Sequence, residues 1–354
     1  MIPIKENIQK IQPYVPGVLK AGAIKLASNE NPLGASPKAV QALKNMVSSI
    51  SLYPDGGAVL LKQKLAQHYN LQPENFIIGN GSDEVFIFAA GAVIGAGDEV
   101  LTSTCTFSEY AFSAKLFGGT PVFVPMQAGT YQLQDFVKAI TPKTKLICIA
   151  NPNNPTGTYV PETELVAFLK QVPKKIIVLI DEAYCEYVNV PDYPDALSLL
   201  KEFPNLLITR TFSKIYGLAG LRVGYMIGDA SLLNELNKAR EPFNVNMLAQ
   251  AAAVAALDDV QFVAKSIKNN ETGKAYLEKE FQSLGLKWFP TVANFIFVYL
   301  PIDCTVAFDK LMDLGVTVRP MKGFGEPKAI RVTIGTPKQN QFFIKVLKKV
   351  LGNK

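Results

Sequence analysis

The sequence predicts an α/β fold with two parts. One is a three-layer large domain around a mostly parallel seven-stranded sheet; the other is a smaller α+β domain, with an N-terminal arm. Three features of the chain predict it. Apolar runs of strand length recur through the middle without polar alternation, as in strands covered on both faces. Helical patterns separate them, which favours parallel neighbours. After Pro242 the pattern changes to one long helical stretch followed by scattered strands.

Residues 1–40 are rich in Pro and Gly and have no strand partner nearby, so they are read as an arm that wraps onto the small domain or a partner subunit. The large domain is expected over 41–245. Its strands are NFIIG (75–79), EVLTST (99–104), PVFVPM (121–126), KLICIA (145–150), IIVLID (176–181), LLITR (206–210) and VGYMIG (223–228). Helices are expected between them at 82–95, 108–117, 134–140, 162–171 and 231–240. The small domain is expected over 246–354. It opens with a long, bent helix at 246–284 and continues with strands in 288–300, 316–320 and 329–335 and helices at 304–314 and 337–351.

Composition narrows the function. The 354 residues are 48% hydrophobic and 19% charged, a globular balance with ample apolar material for a buried sheet. The net charge of +6 comes from lysines spread along the chain, without the basic runs of a nucleic-acid groove. The four cysteines form no CxxC pair and read as reduced thiols, and the single histidine, His68, excludes a usual Ser-His-Asp triad and any His-rich metal site. The polar start MIPIKENIQKI is no signal peptide, and the longest uncharged apolar run (85–97) is too short to span a bilayer. A cytoplasmic enzyme of small molecules is expected, with no metal, no nucleic acid and no membrane partner.

Four motifs fall where strands of the sheet should end. GNGSDE (79–84) follows a strand and opens a helix, whose free N–H groups form an anion site at Gly81, Ser82 and Asp83. ANPNNPTG (150–157) is a rigid loop presenting Asn154, and IDEAY (180–184) ends an apolar strand with Asp181 and then a phenol, Tyr184. TRTFSKIYGLAGLRVGY (209–225) gathers Thr211, Ser213, Lys214 and Arg222. Alone, each is also the ordinary chemistry of a βα turn. No GxGxxG or GxxxxGK[ST] competes for the phosphate role.

Pyridoxal 5′-phosphate requires this set. Its aldehyde needs a lysine, Lys214, and its pyridine nitrogen stays protonated beside a buried carboxylate, Asp181. Asn154 and Tyr184 suit its phenolic oxygen. Thr211, Ser213, Arg222 and the 81–83 turn suit its phosphate. Phe107, in TCTFSEY (104–110), is placed to cover the ring. Arg319 in VTVRP and Arg331 in AIRVTIG are lone guanidiniums on predicted strands and call for an anion, phosphate or carboxylate.

NPNNPTG, DEAY and SKIYGLAGLRVG, in that order, resemble the pattern of fold type I, aspartate-aminotransferase-like enzymes. With PYVPG (13–17), SNENPLG (28–34), LYPDGG (52–57) and VRPMKGFG…IRVTIGT (318–336), the whole chain resembles histidinol-phosphate aminotransferases. That resemblance implies transamination between L-histidinol phosphate and 2-oxoglutarate in histidine biosynthesis, by a homodimer with sites at the subunit interface. It implies that Lys214, Asp181 and Tyr184 are catalytic, and that Tyr53 reaches the neighbouring subunit's cofactor phosphate. Tyr14, Asn29, Arg319 and Arg331 would line the substrate pocket. Cys105 and Phe107 depart from the proline and tyrosine frequent there. An aromatic amino-acid aminotransferase of the same fold and a phosphothreonine decarboxylase remain as alternatives.

Overall fold

Strands β1 (Ile24–Lys25), β2 (Phe76–Gly79), β3 (Glu99–Ser103), β4 (Thr120–Val124), β5 (Thr144–Ala150), β6 (Ile177–Asp181), β7 (Leu206–Thr211) and β8 (Gly224–Gly228) account for the first two thirds of the chain. The computed structural model describes residues 3–13 and 20–352. Seven of these strands form one sheet in the order β2-β8-β7-β6-β5-β3-β4. The four pairings among β7, β6, β5, β3 and β4 are parallel, whereas β8 runs antiparallel to both β7 and β2. All seven expected strands are present.

Burial follows position in the sheet. Every residue of central β6 is buried, but edge strand β4 leaves Thr120 and Phe123 exposed. Alternate residues of the central strands feed two cores. Val178, Ile180, Leu206 and Ile208 pack with the helices Pro37–Met46, Val59–Tyr69 and Met247–Leu257 on one face. Leu179, Leu207 and Met226 pack with the helices Ser82–Val93, Glu109–Leu116 and Ala230–Leu236 on the other. Strand parity therefore decides which layer a polar residue at a strand end will face. β8 turns antiparallel because only a single 3₁₀ turn, Ala219–Leu221, lies between it and β7, too little for a covering crossover helix.

The long helical stretch after Pro242 is two helices, Met247–Leu257 and Val260–Ser283, bent by 80°. Asp259 makes the corner. Its side chain accepts from the N–H of Phe262 and also from Ser36 Oγ (2.6 Å) and the N–H of Lys38 (3.2 Å). Among the described residues no single helix is long and apolar enough to cross a membrane.

The remaining strands are β9 (Phe295–Tyr299), β10 (Val316–Thr317), β11 (Arg319–Pro320) and β12 (Ala329–Thr333). β11, β12 and β9 form an antiparallel sheet, and β10 pairs in parallel with β1. Leu26 joins Leu277, Phe281, Val332 and Phe343 in the core beneath them, so this stretch of the arm finds its partner strand nearly three hundred residues later in the chain.

The helix Met247–Leu257, grouped by the sequence reading with 246–354, packs instead into the larger core. Ala249, Ala252, Ala253 and Ala256 are fully buried there, and their small side chains admit the helix Pro37–Met46. We therefore propose the bend at Asp258 and Asp259 as the division between the two bodies. Ala253→Leu would overpack this contact at an expected cost of about 1–3 kcal/mol, read as a lower urea midpoint at unchanged m-value.

Candidate active site

Registers at one edge of the sheet bring the polar strand ends together. Ala150 pairs with Asp181 and Asp181 with Thr209, while Gly224 pairs with both Thr211 and Gly79. Because β8 begins where β5, β6 and β7 end, five strands deliver their termini to this edge, the ligand-binding side of α/β sheets. Asp181, Thr209 and Thr211 share the parity of Leu179 and Leu207 and so face the layer of the helices Ser82–Val93 and Glu109–Leu116.

Asp181 is only 5% exposed. Its Oδ2 accepts from Tyr110 Oη at 2.6 Å, and its Oδ1 accepts from Thr209 Oγ1 and the N–H of Ala183, both at 3.2 Å. Burial pushes its carboxyl up to about 6, and the Tyr110, Thr209 and Ala183 donors pull it part of the way back. No cation pairs with it among the described residues. A buried carboxylate in this state favours a bound cationic group, and a pyridinium fits that demand.

The turn before the helix Ser82–Val93 is built for an anion. Gly81 has φ +86° and stands at the N-cap, where no side chain caps the helix. A Cβ on Gly81 would lie 2.4 Å from the Arg222 guanidinium, so only glycine lets that group lie across the turn. Arg222, itself at φ +56°, donates to Asp83 Oδ2 at 2.9 Å, so the Asp83 carboxylate partly neutralises the guanidinium. Thr211 Oγ1 donates to Ser213 Oγ (3.0 Å) and accepts from the N–H of Ser213 (3.1 Å), pairing the two hydroxyls. Helix N–H groups, two hydroxyls and a guanidinium fit a phosphate.

Lys214 is half-buried. Its Nζ donates to the Ser28 carbonyl at 3.3 Å and lies 5.6 Å from the centre of the Tyr184 ring. Tyr184 is held edge-on to Phe295, and its oxygen accepts from Asn29 Nδ2 at 2.9 Å, leaving the phenolic O–H to donate outward. Asn29 adopts φ +57° and is fixed by Thr333 and Asn294. Asn154 accepts from Arg331 through its side-chain carbonyl, which leaves its N–H₂ without a partner among the described residues.

Arg331 is 7% exposed and faces neutral acceptors only, Asn154 and the Ala27 carbonyl (2.8 Å). Its Nε has no partner among the described residues, and burial lowers the guanidinium pKa to about 10, with nearby Arg319 adding to the lowering. Arg319 stands directly opposite it on β11. Two guanidiniums side by side with no carboxylate between them call for an anion. Phe107 is half-buried in edge contacts with Phe86 and Tyr110. Tyr53 stands apart from this cluster, 82% exposed and stacked on Phe243 at 4.9 Å. Tyr14 lies outside the described residues.

Sequence reasoning missed Tyr110 and Thr209, which hold Asp181. Thr209 carried a signal, lying two residues before Thr211 on the same strand face, whereas Tyr110, on the short helix Glu109–Leu116, carried none.

Residues 21–347 match the family described as aminotransferase class I and II. The histidinol-phosphate aminotransferase of Moorella thermoacetica is 49% identical, over 98% of this chain and 93% of that one. Histidinol-phosphate aminotransferase 2 of Carboxydothermus hydrogenoformans is 44% identical, over 98% and 99%. The crystal structure of the Sinorhizobium meliloti histidinol-phosphate aminotransferase in complex with pyridoxal 5′-phosphate superposes with a TM-score of 0.91. It is 27% identical, with 99% of this chain and 98% of that one covered.

Asp181 also fixes a pH dependence of the cofactor-free protein. Its folded pKa of about 6 lies above the unfolded 3.8, so the native state binds the extra proton and stability falls as pH rises between those values. The expected loss is about 2–3 kcal/mol across pH 4 to 6, absent in Asp181→Asn. Tyr110→Phe removes a donor to the ionised form and should move the upper end of that window to higher pH, measured by denaturation at stepped pH.

Proposed function

The chain belongs to the class I and II aminotransferase family, and from that premise we propose that it transfers the amino group of L-histidinol phosphate to 2-oxoglutarate. The products are imidazole-acetol phosphate and glutamate, a step of histidine biosynthesis. The observation that carries the choice of substrate is the buried Arg331 beside Arg319, two cations that suit a phosphate dianion better than a single carboxylate. Relatives named for this activity at 49% and 44% identity support it.

Pyridoxal 5′-phosphate is the cofactor, supplying an aldehyde that accepts the amino group and a ring that withdraws electrons from the substrate Cα. Asp181 holds the proton on the ring nitrogen, and Tyr110 and Thr209 keep that carboxylate oriented. The free N–H₂ of Asn154 and the O–H of Tyr184 bind the ring's phenolic oxygen. Gly81, Ser82, Asp83, Thr211, Ser213 and Arg222 bind the phosphate, while Phe107 covers the ring. Lys214, whose Nζ would hold the cofactor's aldehyde, would take the proton from the substrate Cα once its amine is free and hand it on. Asn29 fixes Tyr184.

The same reading takes the active form as a cytoplasmic homodimer. Ile50, Leu52, Tyr53, Leu60 and Phe243 are exposed apolar side chains, Leu60 73% and Leu52 68% exposed, and Tyr53 stacks on Phe243, exposure of the kind a second copy covers. Tyr53 on that surface would then reach the partner's phosphate.

Half-reactions followed by the spectral change of the cofactor test the substrate. L-histidinol phosphate should react much faster than phenylalanine or tyrosine, and a larger rate with phenylalanine would replace this reading with an aromatic aminotransferase. Lys214→Ala should lower turnover by about 10²–10⁴-fold or more and remove the absorbance band of the bound cofactor. A variant that kept the band would refute the assignment of Lys214.

A further inference from the structure

Besides Gly81 and Arg222, the anion-binding turn is held by a loop from elsewhere in the chain. Asn244 Nδ2 donates to the Ile78 carbonyl at 3.1 Å and to Glu84 Oε2 at 2.6 Å, and that same oxygen accepts the N–H of Asn80 at 2.6 Å. Asn244 Oδ1 accepts from Arg240 at 2.9 Å, which fixes the amide's orientation. One side chain thus joins the end of β2 to the first turn of the helix Ser82–Val93, on both sides of Gly81.

The preceding residue, Phe243, is strained. Its φ of +55° is rare for a bulky side chain, and such strain persists only where the surroundings impose it. The ring is nevertheless 47% exposed, so burial in this chain does not account for it. It stacks on Tyr53 at 4.9 Å and 27° and rests against Gly56, where a Cβ would approach within 3.3 Å. The Tyr53 side of the contact is firm as well. Asp55 accepts from the N–H groups of Gly57 (2.8 Å) and Val59 (2.7 Å), and its carbonyl accepts from Gln250 (3.0 Å).

We propose that Phe243 and Asn244 are positioning residues forming one brace. Asn244 fixes the phosphate turn of its own chain, and Phe243 fixes the Tyr53 phenol that the chain presents outward. The Phe243 half rests on the proposed role of Tyr53 at a partner's phosphate; the Asn244 half does not. The brace ties the two phosphate contacts of a dimer to a single loop, so cofactor retention at one site depends on loop geometry shared with the other.

Titration of pyridoxal 5′-phosphate into the full-length cofactor-free chain tests this without any amino donor, so failure here leaves the substrate reading untouched, and failure of the half-reactions leaves the brace untouched. Asn244→Ala should raise the cofactor Kd about ten-fold, the worth of one lost hydrogen bond. Phe243→Gly keeps the left-handed backbone without strain and removes only the ring. It should raise Kd several-fold while the melting temperature holds or increases. Tyr53→Phe added to Phe243→Gly should bring no further loss, because the ring acts through that phenol. A Kd within two-fold of the wild type for either single variant overturns the brace. So does a weakening by Phe243→Gly that coincides with loss of the native oligomeric mass, since the ring would then serve the interface alone.

Discussion

A carboxylate buried at the end of a central strand is the constraint around which the site is arranged. Asp181 is out of water, so every neighbour must donate to it or compensate its charge. Tyr110 and Thr209 donate, but neutral donors leave the group well above its usual range. The remaining demand is for a cation, and a pyridinium would meet it. Carboxylate and pyridinium would then each stabilise the protonation state that the other needs. Ordering Tyr110 in turn fixes Phe107 and Phe86 through edge contacts, so the ring-covering layer is set by the same group.

The opposite face of the same strand ends carries a different solution. Glu182 and Arg210, one residue beyond Asp181 and Thr209, are turned to the other layer and pair at 2.7 Å, with Arg210 also lying 4.9 Å over Tyr69. The acid next door is thus satisfied within the protein. Parity alone separates a carboxylate left without a cation among the described residues from one paired within the protein. In linear sequence both belong to IDEAY and look alike.

This explains what the sequence could and could not disclose. The seven strands were legible because central strands are apolar on both faces, and the 81–83 turn, Asn154, Asp181 and Lys214 stood out as candidates because each lies at or just beyond the end of such a strand. Tyr110 was not, since a tyrosine on a short helix has no local mark of the carboxylate it will meet seventy-one residues later. The division between the bodies was blurred for a related reason. An alanine-rich helix reads the same whether it packs into the first core or the second, and only the Asp259 corner shows where the chain changes allegiance. The pairing of β1 with β10 depends on long-range contacts that two residues of strand cannot announce.

The amide of Asn154 joins the two bodies through one side chain. Its carbonyl faces the Arg331 guanidinium, in the smaller body, and its N–H₂ is the end left without a partner among the described residues. An amide is one conjugated dipole, so a donor pulling on the oxygen makes the N–H groups stronger donors in turn. An anion that shared the guanidinium would slacken that pull and weaken the N–H donors with it. One conjugated side chain thus couples a cation of the smaller body to donors in the loop after β5.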